Sequence, residues 1–445
     1  MRGKPGCGDN AISQAIEKRV AVIGGGYAGI AAAVTLAQQH VPVTVFEAAK
    51  QLGGRARRVD YRGLTLDNGE HLLLGAYRET LRLVGLVAPT NTALFSKLPL
   101  DFTIPGQFKL RAAHLPAPFH LVVALLTTQG LTLSERGAAI RFMLKMQRQN
   151  FSIVEDASVS TLLERHHQGA KITRFLWAPM CTAALNTPPE IASAQVFLNV
   201  LRDSLSGRRG HSDFILPRCD LSKFLPDNAA AYIAAQGGEV CIATTINSIE
   251  CVDQNLLLTS KGRKLVFSHV ICAVAPHQLD RLIAQLPALD GIRRMVDNFA
   301  YQPIYTIYLQ YPPSVRLEKP LLGLIDGLAQ WVFDRGRTHD KAGLLAVVIS
   351  ATGEHQSLTQ DALAAQIHAE FKGVWAHLPP FLWAKVIAEK RATFSCTINL
   401  PRPSQMTPLS GFYLAGDYTA GDYPATLEAA VQSGIKCATA ILESV

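Results

Sequence analysis

The sequence predicts a two-domain α/β protein. One domain is Rossmann-like and discontinuous, built from both chain ends and a central piece; the other is a mixed-sheet domain under a helical cap. Three observations carry this. Residues 19–47 read as strand, glycine-rich turn, helix and second strand, residues 269–279 as a further strand, and residues 411–438 as strand, loop and helix. At 445 residues, 48% apolar and only 18% charged, the chain has ample core for two domains. The expected division gives 19–80, 215–275 and 400–445 to the first domain. Residues 81–214 and 276–399 form the second, behind a flexible polar tail over 1–18.

The opening stretch, Val20 to Ala37 behind Lys18 and Arg19, is small and apolar enough to suggest an export signal or anchor. Such segments rarely carry four glycines ahead of a further strand and an acidic residue. Gly24, Gly26 and Gly29 instead fit G-x-G-x-x-G, and Glu47 closes the next strand 23 residues after Gly24. Gly24 permits the tight turn, Gly26 lets a pyrophosphate reach the backbone, and Gly29 lets the helix pack closely on the strand. The helix N-terminus supplies amide donors and a favourable dipole for phosphate. Glu47 is placed to accept from both ribose hydroxyls of an adenosine, which disfavours a 2′-phosphate.

"QLGGRARR", residues 51–58, follows that acidic strand. It resembles the second FAD signature of the amine-oxidase and carotenoid-desaturase superfamily. The resemblance implies backbone amides of Gly53 and Gly54 near the cofactor, with Arg55 or Arg57 neutralising pyrophosphate charge. In that superfamily the residue matching Val240 contacts adenine through its backbone. The closing segment "GFYLAGDYTAGDYPATLEAAVQSGIKCA" is similar to the third FAD signature. Gly416 and Asp417 would meet the ribityl or pyrophosphate region. The helix N-terminus at Thr426 and Leu427 would face the flavin ring, where its dipole favours the anionic reduced form. The implied cofactor is FAD.

Three further stretches, 64–83, 174–205 and 329–336, resemble the squalene-associated FAD-dependent desaturase family, the hydroxysqualene dehydroxylases of bacterial hopanoid and squalene synthesis. Two positions depart from its pattern: Glu70, where glutamine is expected, and Ala429, where glycine is commoner. The features of amine oxidation are missing. Thr426 stands where an aromatic would cage an amine, and residues 299–313 contain no lysine. Tyr305, Ile307 and Leu309 alternate there, either lining an apolar chamber or forming ordinary core.

The resemblance implies that reduced FAD converts hydroxysqualene to squalene, with an acid for the departing allylic oxygen. Asp203 and Glu190 are the candidate acids. Each has a plainer reading: an ion pair with Arg202, and the start of a helix. His71 and Tyr77 are expected beside the flavin. The rivals are an oxidative carotenoid-type desaturase and a non-catalytic prenyl-binding relative. The expected partners are a polyisoprenoid substrate and an external electron donor, a reduced nicotinamide or a redox protein.

Residues 116–150 are the most membrane-like. An apolar run from Phe119 to Leu126 is too short to span a bilayer. Thr132 and Glu135 then offer a capping box for a helix with Arg141, Lys145 and Arg148 on one face. This is either an interfacial hairpin through which a lipid substrate leaves a membrane, or a cap packed on the second domain. The net charge of +8 suits anionic cofactors or membrane surfaces, and no Lys/Arg block longer than three residues points to nucleic acid. Eight cysteines without a CxxC pair argue for free thiols and against structural zinc. The expected location is cytoplasmic, with contact to the inner membrane face left open.

Overall fold

The computed structural model describes residues 18–91, 93–253 and 255–444; the expected tail, Lys18 apart, lies outside them. The first strand, β1 (Val20–Ile23), is wholly buried and leads through the glycine turn into α1 (Tyr27–Gln38). It is followed by β2 (Val43–Phe46), and much later by β3 (Glu239–Cys241), β4 (His269–Cys272) and β5 (Phe412–Leu414). These strands form one parallel sheet in the order β3-β2-β1-β4-β5. Burial on both faces explains their continuous apolar runs.

Close packing in this half depends on missing side chains. A β-carbon on Gly29 would lie 2.0 Å from the Gly24 carbonyl oxygen, so α1 can sit on β1 only with glycine there. Gly434 does the same where the C-terminal helix Leu427–Glu443 crosses α1, a β-carbon meeting the Ala28 carbonyl at 2.0 Å.

The second half is organised on an antiparallel five-stranded sheet, ordered Leu321–Gly323, Trp331–Asp334, Leu344–Ser350, Tyr301–Gln310, Trp383–Phe394. It is antiparallel throughout rather than mixed. Its alternation decides the question left open for the long strand. Tyr305, Ile307 and Leu309 face the helix Gln360–Val374 and join its core, so they are not chamber walls. Ile304 and Tyr308 belong to the opposite, site-facing surface.

The expected boundary at residue 80 falls inside the helix Arg78–Val87. That helix packs on the C-terminal helix through Glu428, and the strand Phe95–Leu98 pairs with Phe214–Pro217 beside Leu73–Leu74. Residues 81–98 therefore extend the first half rather than opening the second.

Helices α2 (Phe119–Thr127) and α3 (Leu133–Arg148) form the cap's hairpin. The capping box is present: Thr132 Oγ1 accepts from the Glu135 amide at 3.3 Å, and the Thr132 amide donates to Glu135 Oε2 at 2.8 Å. Ala139, Phe142 and Met146 bury the inner face of α3, and Phe142 meets the Trp177 ring edge-on at 5.3 Å. Among the described residues, no helix is long and apolar enough to cross a membrane.

Candidate active site

A cavity of about 1050 Å³ runs between the two halves, polar at one end and apolar at the other. Gly24, Gly26, Glu47, Gly54, Gly416 and Thr426 line its polar end. At Gly24, φ is +108°, and a β-carbon would stand 2.7 Å from the Ala273 carbonyl oxygen; the turn requires glycine. Gly26 differs. A β-carbon there would find only the Gly54 Cα, at 3.9 Å, so its bareness serves the space in front of the backbone rather than the fold. Glu47 is held rigidly, Oε2 accepting from the Gly25 amide at 2.7 Å and Oε1 from the Ala49 amide at 2.8 Å. Thr426 caps the C-terminal helix by accepting from the Ala429 amide, which aims that helix N-terminus at the cavity.

This cradle fits a dinucleotide in every part: an open glycine turn for pyrophosphate, a fixed carboxylate for ribose, and a second helix N-terminus for an anionic ring. The sequence profile of the flavin containing amine oxidoreductases matches residues 27–442. The chain belongs to that family. It is thus an FAD-dependent oxidoreductase. The hydroxysqualene dehydroxylase of Rhodopseudomonas palustris is 29% identical over 96% of this chain and 99% of its own length. The enzyme of that name from Zymomonas mobilis is 26% identical over 93% of this chain and 96% of its own. An oxidoreductase from Methanosarcina mazei shares the fold, with a TM-score of 0.74 over 96% of this chain and 100% of that one, at 14% identity.

Within this family member, several residues stand differently from expectation. Val240 lies in β3, its backbone in register with Val45 of the neighbouring strand. The cavity is lined instead by Thr244, Thr245 and Ile246, just beyond it. β3 is the edge strand of the sheet, and the chain meets the cavity only a few residues beyond Val240. Arg55 and Asp417 are not independent anchors: Arg55 Nη2 donates to Asp417 Oδ1 at 2.7 Å, while its other terminal nitrogen holds the Ala392 carbonyl. Burial lowers the Arg55 pKa, but the Asp417 carboxylate outweighs it and the net shift is upward. Arg57 folds back on the Gly54 carbonyl at 2.6 Å.

Of the two candidate acids, Asp203 lines the cavity and Glu190 does not. Glu190 is exposed, in a turn ahead of the helix Ala194–Leu201, where the Pro188 carbonyl accepts from the Ile191 and Ala192 amides. Asp203 accepts from Arg202 Nε at 2.7 Å and Nη2 at 3.2 Å, and hydrogen-bonds the Tyr423 hydroxyl, itself in the cavity wall. His71 and Tyr77 both line the cavity, as expected. Burial lowers the His71 pKa, keeping it neutral, and raises that of Tyr77.

The Glu70 departure acquires a partner. Arg335 is 1% exposed, and its Nη1 donates to Asp67 Oδ2 at 3.0 Å and Glu70 Oε2 at 2.7 Å. Asp334, next to it, caps a short turn by accepting from the Gly336 amide at 2.9 Å, which directs Arg335 inward. The two family-like stretches around 67–70 and 331–336 therefore meet at one guanidinium. Two carboxyls share one cation, and burial, outweighing Arg335, raises both acid pKa values. A buried carboxyl with a raised pKa keeps its proton after the unfolded chain has lost it, so its contribution to stability falls as pH rises through that interval. Glu70→Gln, still able to accept from Arg335, is expected to raise the urea midpoint at neutral pH and flatten its decline toward alkaline pH. A lower midpoint at every pH would show that Glu70 is needed as an anion.

Sequence reasoning also passed over Glu428. Fully buried in the first turn of the C-terminal helix, it accepts from the Glu79 and Thr80 amides at 3.0 and 2.9 Å and from Thr80 Oγ1 at 2.7 Å. It caps the Arg78–Val87 helix from across the chain. The "LE" pair in the closing signature was its only mark in the sequence.

Proposed function

We propose that this enzyme acts on an isoprenoid alcohol, removing the allylic hydroxyl of hydroxysqualene reductively to give squalene and water. The observation that carries the reading is the apolar end of the cavity. It continues directly from the FAD cradle and is walled by Phe102, Leu125, Ile140, Met143, Phe197 and Trp331. No lysine lines it. A chamber of this character suits a flexible hydrocarbon. The dehydroxylase names of its two bacterial relatives support the same substrate class.

In the reaction a carbon–oxygen bond breaks and a carbon–hydrogen bond forms. When bound, reduced FAD would supply the hydride, which carries both electrons. The protein has three tasks: to exclude water, to align the allylic carbon, and to protonate the oxygen as it leaves. The apolar wall performs the first two. For the third we assign the Tyr423 hydroxyl, held in place by the Asp203 carboxylate, which puts a donor in an otherwise greasy wall. In this reading an external donor reloads the flavin.

Photoreducing the purified enzyme without oxygen and adding hydroxysqualene in detergent tests the reading. Return of the oxidised-flavin band with squalene as product is expected. Absence of reoxidation, with a polyene bleaching the oxidised enzyme instead, would identify an oxidative desaturase. Asp203→Asn is expected to cut turnover by about 10²-fold or more while FAD stays bound. Full turnover in that variant would remove Asp203 from the mechanism.

A further inference from the structure

We propose that the α2–α3 hairpin seats this protein on an anionic lipid bilayer, with the mouth of the apolar cavity opening onto the lipid. Fourteen large apolar side chains are exposed among the described residues, and five of them, Leu115, Phe119, Leu126, Leu133 and Leu144, fall within this single hairpin and its lead-in. Phe119 is 62% exposed and Leu133 79%, values that a cap merely packed on the second half would not leave. Such clustering marks a surface that something apolar covers.

The geometry of α3 shows how that surface is arranged. Leu133 and Leu144 are eleven residues, three helical turns, apart and lie on one strip. Arg136 borders the strip on one side, and Arg141, Lys145 and Arg148 border it on the other. Arg136 also reaches round the turn to the Leu126 carbonyl at 2.7 Å, holding the end of α2 beside it. From residue 102 to 154 the chain has six lysines and arginines and one carboxylate, Glu135, which is engaged in the capping box. An apolar strip flanked by cations fits acyl chains beneath anionic headgroups. A second copy of this chain would bring the same positive charge against itself.

The hairpin is also a wall of the cavity. Leu121, Val122 and Leu125 of α2 and Ile140 and Met143 of α3 face its interior. Leu144 lines the cavity and is yet 41% exposed, and Pro118, which precedes α2, is likewise both lining and exposed. These two residues place an opening within the patch. A substrate dissolved in the bilayer would then enter without crossing water.

The test is sedimentation of the FAD-loaded enzyme with phosphatidylcholine vesicles, with and without phosphatidylglycerol. Binding is expected to the anionic vesicles and to weaken with salt. Phe119→Ser with Leu133→Ser should reduce it by about tenfold or more. Neutralising Arg141, Lys145 and Arg148 to glutamine should reduce it by a similar factor and remove the preference for anionic lipid. Unchanged FAD content in both variants shows that the fold has survived, since all five side chains are exposed. No vesicle binding by the parent enzyme, binding indifferent to these substitutions, or a dimer that they convert to monomer would each overturn the proposal. The assay reads no catalysis. Vesicle binding without squalene formation would refute the assigned substrate and leave the docking surface standing.

Discussion

Arg335→Met should destabilise the protein by about 3–5 kcal/mol, the largest loss expected from any single substitution away from the apolar core. Methionine fills much of the volume, so the effect isolates charge. Asp67 and Glu70 are 1% and 4% exposed in residue and side chain respectively, and Arg335 is the cation that faces both. Without it, two buried carboxylates oppose one another. Asp67 retains only the Leu221 amide, at 2.8 Å. Urea unfolding followed by far-UV circular dichroism would report the loss, and Arg335→Lys should recover part of it by keeping a cation at that place. A loss below about 1 kcal/mol would mean that both carboxyls simply take up protons. In that event the variant should be no weaker than the parent at acid pH.

Gly26→Val should empty the enzyme of FAD while leaving the fold in place. The same change at Gly24 or Gly29 would drive a side chain into backbone and confuse the two effects. At Gly26, φ is −77° and a β-carbon has no neighbour closer than 3.9 Å, so valine is sterically allowed by the protein itself. Its branches would occupy the ground in front of the turn, where a pyrophosphate must meet the amides. A colourless protein with parental secondary structure and at least about 100-fold weaker FAD binding is expected. A yellow variant would mean that the phosphates lie elsewhere.

The two cases differ in how much of their basis could be read from residues alone. Gly26 belongs to a local pattern, and local patterns survive in a sequence: the strand, turn, helix and acid all stand where 19–47 placed them. Thr132 with Glu135, and Thr426 at its cap, are legible for the same reason. Arg335 is the opposite case. Its partners are 265 and 268 residues away, and nothing in "WVFDRG" says which carboxyls it meets. Val240 stands off the cavity because a resemblance fixes a residue's neighbourhood but not where the strand ends and the chain meets the site. Glu190 was misplaced because two prolines before an acid look alike whether the turn points inward or out. The long strand's faces were undecidable for a related reason: alternation identifies two faces without naming which one meets a helix.

The order of the parallel sheet has a consequence for how the protein comes to be made. β1 and β2 leave a ribosome well before β4, yet β1 borders β4, so that Val20 must wait for His269. At about 5–20 residues per second, that interval is on the order of 10–50 s. For that time an apolar strand edge is open to wrong partners. The wait is longer still for the cofactor, because Asp417 and the cap at Thr426 are made long after the glycine turn. The complete cradle therefore exists only after its last part has been made, and the yield of active enzyme in a cell should depend on the flavin supply and chaperones available from then on.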